Sequence, residues 1–593
     1  MLTKELLADY IDAGAAKKKA DLVIQNGTLI NVNTGEYYPA DVAVYKDKIV
    51  AVDPDVSDYI GEDTKKIDAT GKYLAPGLID CHIHVECSKM GMTRFAQAVV
   101  PRGTTSIITG FDEYISVLGL KGLDDIFAEV DASPLKVFWG IPYKTPYTIP
   151  TSTIAYNIEG ADHDEYQTHE NCYGVWETVR EAVQTKEPTT MQALVAARKN
   201  HQPIFGCSPM ARGKELNEFL MSGVQVDHES YDHEEFLEKA RKGIHIVVRE
   251  SAVTQFLKEN IRAITEGAAG AARHTSFCSY DVNARYILEN GHIDHMVRLA
   301  IKAGVDPMTA IQMATINGAE ACKIDGQVGS IAPGKDADIL LVDQPGTFNI
   351  QSVISKGQIV TEDGVNKFDY QIPERSAALV HTVQRDLTTA ADFEYHVDIT
   401  NGTAEVETIN SIGPFVRKRR DVELDVVDGV VQPDPEKDVA LVSVLERYGI
   451  NGNQSLGFIS GWSFKKGAIA TTAAPDDNNI VVAGVSREDM ALAVNTLIEN
   501  DGGQVVVIDG EVVSFLPLPI AGIASDLEPE ALAQKEVELD QAAQQIGSRL
   551  PDPIFYLSFL PITAIPDLAI TDGGNVDYPK LSYFDPILKV TAK

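Results

Sequence analysis

The feature that most restricts the fold of this 593-residue chain is an alternation of short apolar runs with helical stretches between Pro76 and Gly334. The apolar runs include TTSIITG, VFWGIP, QPIFGC and IHIVVRE, and DHEEFLEKARKG is typical of the helical stretches. Strands that alternate with helices form parallel sheets, and about 260 residues is a usual length for a (β/α)8 barrel. The pattern therefore predicts an α/β fold with a TIM-like barrel. A doubly wound sheet is the alternative, although no GxGxxG motif follows any of these runs.

Both flanks of the predicted barrel have β character. Residues 21–75 contain short β runs with turns at Asn26-Gly27 and Thr34-Gly35, and two further β runs lie within residues 329–364. We expect these two sets to join in one small β-sandwich, and a separate α+β segment begins near residue 385. The predicted domains are an N-terminal helix and sandwich strands at 1–75, the barrel at 76–334, the remaining sandwich strands at 335–384 and a C-terminal domain at 385–593.

Charge and composition restrict the possible partners. The chain has 51 basic and 86 acidic residues and a net charge of −35, which repels phosphate backbones and anionic lipid. No apolar run reaches the roughly 18 residues of a membrane span, and the N-terminus lacks the apolar core of a signal peptide. The six cysteines are scattered without a CxxC pair, as in reduced proteins. We expect a cytoplasmic protein that binds neither nucleic acid nor membranes.

Two histidines, His82 and His84, lie one residue apart directly after the apolar run PGLID. On a strand, side chains two residues apart share a face, and in a parallel barrel that face points inward near the active-site rim. Two neutral imidazoles supply half of a typical divalent metal site. The alternative is one core histidine beside one surface histidine, and the pair alone does not decide between the two interpretations.

Longer segments resemble a known family. The segments APGLIDCHIHVE and FAQAVVPRGTTSIITG resemble the amidohydrolase superfamily, and the closer resemblance is to bacterial adenine deaminase. It continues through GVQVDHESYDHEEFLEKARKGIHIVVRES, GFISGWSFKKGAIATT and GGQVVVIDGEVVSFLPLPIAGIASDL, so that it spans nearly the whole chain from about residue 20. The resemblance implies a metal-dependent aminohydrolase that converts adenine and water to hypoxanthine and ammonia. We also expect a homo-oligomer.

The resemblance assigns metal ligands residue by residue. GVWE matches the strand whose glutamate bridges two metals in the family, which makes Glu177 the bridging carboxylate, and VDHE makes His228 a further imidazole ligand. With His82 and His84, these residues are expected to bind one or two ions of Mn²⁺, Fe²⁺ or Zn²⁺. The metal would form hydroxide from water near neutral pH, and the hydroxide would attack the amine-bearing carbon of a purine or related heterocycle.

At several positions the chain departs from the family pattern. GFDE replaces the usual DPHE, which places Asp112 at the histidine position beside a retained Glu113. GCSP replaces GHAP, which places Cys207 where the family has a ligand histidine. A thiolate at that position would retain a metal ligand and favour a softer ion than manganese. A small buried thiol that only fills space is the alternative.

A further departure affects the proton-transferring residue. SYD replaces TDD after the eighth strand, which places Tyr280 at the first aspartate and Asp281 at the second. A phenol titrates near pH 10 and is a poor general base, and a one-residue shift on a strand reverses the face of the side chain. The candidates for the general base are therefore Asp281, Glu113 and Glu229. In the C-terminal domain APDDNN replaces AHDSHN, with Pro475 and Asn478 at two histidine positions.

The remaining candidates are substrate contacts. The sequence His84-Val85-Glu86 satisfies the HxE motif of the zinc nucleobase deaminases, but their PCxxC partner is absent. Glu86 either lines the pocket or is a carboxylate at a helix start. We expect Glu86, Asp112 and Tyr280 to contact the substrate. The alternatives to adenine deamination are hydrolysis of a cyclic amide or amidine, and a non-catalytic relative that binds a ligand on an inherited scaffold.

Overall fold

The barrel occupies the centre of the chain. The structure, a computed structural model, describes residues 2–169, 172–252, 254–413, 416–565 and 567–593. Within these residues, eight parallel strands pair in chain order in one sheet. The strands are Leu78–Asp80, Thr104–Thr109, Lys136–Pro142, Cys172–Val179, Ile204–Cys207, Val226–Asp227, His245–Arg249 and Thr275–Cys278.

Backbone hydrogen bonds just beyond the first and eighth strands close this sheet into a barrel. The N–H of Cys81 donates to the carbonyl of Phe277 (3.1 Å), and the N–H of His84 donates to the carbonyl of Tyr280 (3.2 Å). The N–H of Tyr280 in turn donates to the carbonyl of His82 (3.2 Å). The α/β fold class and the predicted barrel are therefore confirmed, and the two-histidine segment forms part of the closure.

Helices between and after the barrel strands cover its outer surface and lie near its rim. Their apolar residues pack in the large core cluster that surrounds the strands. The α-helices of this region are Met92–Val99, Asp112–Leu118, Leu123–Ala132, Gly160–Tyr166, Arg180–Thr185, Pro188–Lys199, Gly213–Leu220, His233–Arg241, Leu257–Arg262, Ala284–Asn290, Ile293–Lys302, Pro307–Met313 and Ile316–Ala321.

Strands from both sides of the barrel pair in a second sheet. Leu341 on the later side lies opposite Leu74 on the earlier side in an antiparallel register, and the helix Lys4–Gly14 precedes the first strand. In the described part of the chain this sheet has nine strands. They are Leu22–Asn31, Glu36–Tyr45, Lys48–Asp53, Lys65–Asp68, Tyr73–Pro76, Ile339–Val342, Ile350–Ser355, Gln358–Glu362 and Val365–Asn366.

The C-terminal domain is built on a mixed sheet that has eleven strands among the described residues. They are Tyr395–His396, Gly402–Gly413, Val416–Val427, Val430–Val431, Val439–Leu445, Gln454–Ser460, Ala468–Thr471, Ile480–Gly484, Gly503–Ile508, Glu511–Pro517 and Ile587–Ala592. The helices Arg487–Glu499, Pro529–Gln545 and Pro553–Ser558 belong to this domain. A small antiparallel sheet completes it with Leu568–Thr571, Gly574–Asp577 and Ser582–Phe584.

One buried and one partly buried ion pair connect the C-terminal domain to the barrel. Lys89 lies 2.9 Å from Glu536 on the longest C-terminal helix, and Arg285 lies 2.7 Å from Asp540 on the same helix. The N–H of Ser525 donates to the carbonyl of Lys89 (2.8 Å). Because Lys89 follows His84 by only five residues, the domain contacts the barrel beside the two-histidine segment. Among the described residues, no helix has both the length and the apolar composition needed to cross a membrane.

The barrel interior is packed so closely that it has no room for a side chain at Gly110. A Cβ atom on Gly110 would overlap the indole of the fully buried Trp176. We expect Gly110→Ala to lower the free energy of unfolding by about 1–3 kcal/mol, the usual effect of overpacking. Thermal or denaturant unfolding would measure the change. The matched control is Gly326→Ala, because no atom lies within 4 Å of the added carbon. Equal stability of the two variants would contradict the packing argument.

Candidate active site

The five candidate metal ligands come from four segments that meet at the carboxyl rim of the barrel. His82 and His84 follow the first strand, and Glu177 lies near the end of the fourth strand. Cys207 ends the fifth strand, and His228 follows the sixth. The carboxyl ends of parallel strands meet at one rim, where the active sites of these barrels lie. Residues more than 100 positions apart in the chain therefore become neighbours.

These five side chains form two groups of three that share one carboxylate. The donor atoms of His82, His84 and Glu177 lie within 4.8 Å of one another, and so do those of Glu177, Cys207 and His228. Glu177 Oε2 is 2.8 Å from His84 Nε2, and Glu177 Oε1 is 3.2 Å from His228 Nε2. Each oxygen of the carboxylate therefore faces a different group. This arrangement suits two adjacent cations bridged by one carboxylate.

The donor atoms also fit a divalent cation chemically. The Nε2 atoms of His82 and His228 are buried and have no hydrogen-bond partner in the described structure. Buried polar atoms are normally satisfied, and a cation would satisfy both imidazoles. Imidazole, carboxylate and thiolate are ligands of zinc and related transition metals. Burial and the nearby Glu229 carboxylate raise the pKa of the Cys207 thiol, so that the thiol keeps its proton unless a bound cation displaces it.

The electrostatics of the imidazoles follow from their neighbours. Burial, together with the charge of His228, lowers the pKa of His82 well below its ordinary value, which favours the neutral form that binds metals. Burial opposes a charge on His84 as well, but the carboxylates of Glu177 and Asp112 raise its pKa well above the ordinary value. Burial likewise opposes the charge of Glu177, yet the three imidazoles hold its pKa well below the usual range.

Aromatic packing orients the first of these rings. His82 stacks on the indole of Trp176, with ring centroids 3.9 Å apart and planes inclined by 16°. It also stacks on His228, with centroids 3.7 Å apart. Glu177, next to Trp176 in the chain, has a φ of 39°, in the left-handed region that non-glycine residues rarely adopt. Backbone strain of this kind occurs at functional sites, where the surrounding packing maintains it.

A network beneath the site was not predicted from the sequence. Asp80 accepts hydrogen bonds from the N–H of His82 (3.2 Å) and from the hydroxyl of Ser279 (2.6 Å), and it joins the first strand to the eighth. Asp227 accepts from Lys239 Nζ (2.9 Å) and from the N–H of Glu229 (3.0 Å). Both aspartates are fully buried. The sequence feature that points to this network is an aspartate near each histidine: Asp227 directly before His228, and Asp80 two residues before His82.

Asp112 lies against His84. Its Oδ2 is 3.4 Å from Nδ1 of His84, the ring nitrogen on the side away from Glu177. A carboxylate behind a metal-binding imidazole fixes the orientation and tautomer of the ring. The predicted contact of Asp112 with the substrate stays a prediction. The structure shows its contact with His84.

The segment after the eighth strand does not follow strand geometry. The strand ends at Cys278, and Tyr280 has a φ of 57°. The expectation that a one-residue shift reverses the side chain of Asp281 therefore does not apply here, because alternation requires extended backbone. Asp281 Oδ1 accepts a hydrogen bond from Cys87 Sγ (3.4 Å), and burial raises the pKa of Asp281 to about 6. Among the described residues Asp281 belongs to neither group of three.

Tyr280 and Glu229 are both engaged by one arginine. The guanidinium of Arg249 lies 4.6 Å from the centroid of the Tyr280 ring and donates to Glu229 Oε2 at 2.8 Å. Burial, with the charge of Glu177, raises the pKa of the Tyr280 phenol well above its ordinary value. Glu229 lies 3.7 Å from His228. Because its carboxylate is paired with the buried guanidinium of Arg249, Glu229 is a weaker candidate for the general base than Asp281.

A pocket opens beside these groups, between the barrel and the C-terminal domain. The barrel contributes Glu86, Cys87 and Glu113 to its wall, and the C-terminal domain contributes Asn478 and Gln504 among others. Both carboxyl oxygens of Glu86 are buried without a hydrogen-bond partner in the described structure. Two residues of the pocket wall connect it to the site: Glu86 lies two residues after His84 in the chain, and Cys87 donates a hydrogen bond to Asp281. The sequence pointed to Pro475 and Asn478 as changed family positions, and both line this pocket.

Comparisons with known proteins cover almost the whole chain. Residues 73–360 match the profile of the amidohydrolase family, and residues 414–582 match that of the adenine deaminase C-terminal domain. The chain is 62% identical to adenine deaminase 1 of Latilactobacillus sakei subsp. sakei (strain 23K), with 98% of each chain covered. It is 57% identical to adenine deaminase 1 of Desulfotalea psychrophila, with 99% of each covered. It is 49% identical to adenine deaminase 4 of Rhizobium meliloti, with 97% of this chain and 96% of that protein covered.

The loop that carries Asn478 also contains a carboxyl group whose titration affects stability. Asp477 is fully buried and accepts the N–H of Asn479 (3.0 Å). Burial, assisted by the charge of Asp572, raises the pKa of Asp477 to about 7. The folded state therefore binds this proton more tightly than the unfolded state, and the contribution to stability is lost progressively as the pH rises from about 4 to about 7.

We expect Asp477→Asn to raise the melting temperature relative to the wild type more at pH 8 than at pH 5, because the amide never ionises. Thermal unfolding of both proteins across this pH range would measure the effect. Asp398→Asn is the control, because Asp398 is exposed. A variant that loses stability equally at both pH values would contradict the assignment.

Proposed function

The chain belongs to the adenine deaminase family, which has an amidohydrolase barrel, and from this membership we propose that it hydrolyses adenine to hypoxanthine and ammonia. The observation that carries the proposal is the pair of donor groups that share Glu177. A metal centre of this composition at a barrel rim, beside a pocket lined with carboxyl and amide groups, fits the hydrolysis of a C–N bond on a flat heterocycle.

One or two divalent cations would be held by His82, His84, Glu177, Cys207 and His228. We propose Mn²⁺, Fe²⁺ or Zn²⁺, and the thiol of Cys207 favours Zn²⁺ or Fe²⁺ over Mn²⁺. Such a cation supplies acidity to water, so that a nucleophile is available near neutral pH. The charge of Asp112, 3.4 Å from Nδ1 of His84, would help to orient that ring. Asp80 accepts the N–H of His82 and Asp227 accepts the N–H of Glu229, so that each aspartate holds one histidine segment.

The proton transfers are proposed for two buried carboxyl groups. Asp281, with a pKa raised to about 6 by burial, takes a proton from water and delivers it to the departing amine. A pKa near the working pH suits a group that both accepts and donates. Glu113 donates a hydrogen bond to a ring nitrogen, because burial and the Asp112 charge raise its pKa well above the usual range. Adenine and water thus give hypoxanthine and ammonia without a further reactant.

Ammonia release from adenine by the metal-loaded protein is the direct test. We expect turnover with Zn²⁺, Fe²⁺ or Mn²⁺ and one to two equivalents of bound metal. His82→Ala should lose metal and activity together, because it removes a donor from one group of three. His396→Ala is the control, because His396 is an exposed residue of the C-terminal domain. Absence of ammonia from the wild type with every metal would refute the function, and full metal content in His82→Ala would refute the site.

Cys207 provides a test of metal preference. We expect Cys207→His to raise kcat/KM with Mn²⁺ and to weaken the preference for Zn²⁺, because imidazole is a harder ligand than thiolate. Cys207→Ala should lower metal affinity by at least the roughly 10–100-fold that loss of an outer-sphere partner produces. Metal content and rates of both variants would be compared with those of the wild type. Unchanged values in both would mean that Cys207 only fills space.

A further inference from the structure

A loop of the C-terminal domain reaches the mouth of the barrel. The side-chain N–H of Asn479 donates to the carbonyl of Thr153 (3.0 Å), and the hydroxyl of Ser116 donates to the carbonyl of Asp476 (3.3 Å). These contacts hold the loop on both sides of Asn478. The loop therefore has a defined position relative to the barrel, although the two parts are more than 300 residues apart in the chain.

Asn478 makes the contact that matters for the chemistry. Its Nδ2 donates to Oε2 of Glu113 at 2.5 Å, and its side chain is almost completely buried. Its backbone has a φ of 51°, a left-handed conformation that asparagine adopts more readily than most residues. Both the backbone conformation and the hydrogen bond therefore favour asparagine at this position.

The hydrogen bond determines which oxygen of Glu113 carries a proton. An oxygen that accepts the amide N–H favours the carbonyl form, so that the proton of a neutral carboxyl group lies on Oε1. Neutral Glu113 is favoured by burial and by the surrounding carboxylates. Oε1 can then donate to a ring nitrogen in the pocket that Glu113 and Asn478 both line.

The other contributions of the C-terminal domain to this pocket suit a flat nitrogen heterocycle. Gln504 offers an amide with both a donor and an acceptor, and Phe555 offers an aromatic ring. Phe555 packs on Phe559, with ring centroids 4.4 Å apart. Aromatic rings favour flat partners, and a few amide and carboxyl groups fix the orientation of a bound ring.

We infer that Asn478 is a positioning and specificity-determining residue, whose amide fixes Glu113 so that the pocket formed with the C-terminal domain selects a flat heterocycle with an acceptor nitrogen. This inference rests on the proposed function, because Glu113 is the group proposed to contact the ring. The C-terminal domain is therefore part of the active site.

Two substitutions separate the hydrogen bond from the backbone conformation. Asn478→Gly retains the left-handed backbone and removes the amide. Asn478→Asp retains the shape, but an ionised carboxylate accepts the Glu113 proton and withdraws it from the substrate. As the pH falls, the introduced carboxyl group gains a proton and can donate again. The titratable groups that face Glu113 are Asp112, Glu86, His84, Cys87, Asp476 and Tyr448.

We expect Asn478→Gly to lower kcat/KM for adenine by roughly 10- to 100-fold, part of the usual contribution of general acid catalysis, and to weaken adenine binding. The activity of Asn478→Asp relative to the wild type should rise as the pH is lowered from 8 to 6. A purely structural role would not produce this pH dependence. Asn500→Gly is the control, because Asn500 lies at the exposed end of a helix.

The outcomes separate the inference from the proposed function. Adenine binding is measured by calorimetry on the metal-loaded proteins, and ammonia release is measured in parallel. If the wild type deaminates adenine and the Asn478 variants match Asn500→Gly, the inference falls and the function stands. If the wild type binds adenine without turnover and Asn478→Gly binds it more weakly, the function falls and the inference stands. If the wild type neither binds nor deaminates adenine, both are overturned.

Discussion

The rest of the candidate active site depends on the position of the Glu177 carboxylate. Its two oxygens face different imidazoles, His84 and His228, which follow the first and the sixth barrel strand. A carboxylate buried at this depth is stable only with close positive partners, because desolvation of an isolated charge is costly. The imidazoles, or cations bound by them, meet that requirement. The strained backbone at Glu177 (φ 39°) is the cost of directing the side chain into the barrel mouth.

Much of the barrel and of the donor set was predictable, for a physical reason. The alternation of strands and helices is visible in short stretches of sequence, and it predicts a parallel sheet. When that sheet closes into a barrel, the carboxyl ends of all its strands lie at one rim. Residues predicted for strand ends, such as His82, Glu177 and His228, therefore had to be neighbours once the barrel was correct. The family resemblance supplied the identity of Glu177 and Cys207, which their short motifs alone would not have distinguished from surface or core residues.

What the sequence did not reveal depends on backbone conformation and on long-range packing. The left-handed backbone at Tyr280 determines the direction of Asp281, and no local pattern signals it. Asp112 was assigned by its place in a motif, whereas its position behind His84 follows from the packing of its helix. The contact between Asn478 and Glu113 joins residues 365 positions apart. Pattern arguments cannot predict such a pair, because its geometry depends on how two domains meet.

Two of the departures from the family pattern, at positions 112 and 478, both act on Glu113. The chain has Asp112 and Asn478 where the resemblance leads us to expect histidines, and each now contacts a retained residue of the site: Asp112 contacts His84, and Asn478 contacts Glu113. The carboxylate at 112 also helps to raise the pKa of Glu113. A histidine at 478 that became protonated would oppose this effect, because a nearby cation favours the ionised carboxyl group. The neutral amide of Asn478 donates a hydrogen bond without adding a charge. An acidic residue at one position and a neutral donor at the other are therefore mutually consistent, because both favour a neutral Glu113 carboxyl group.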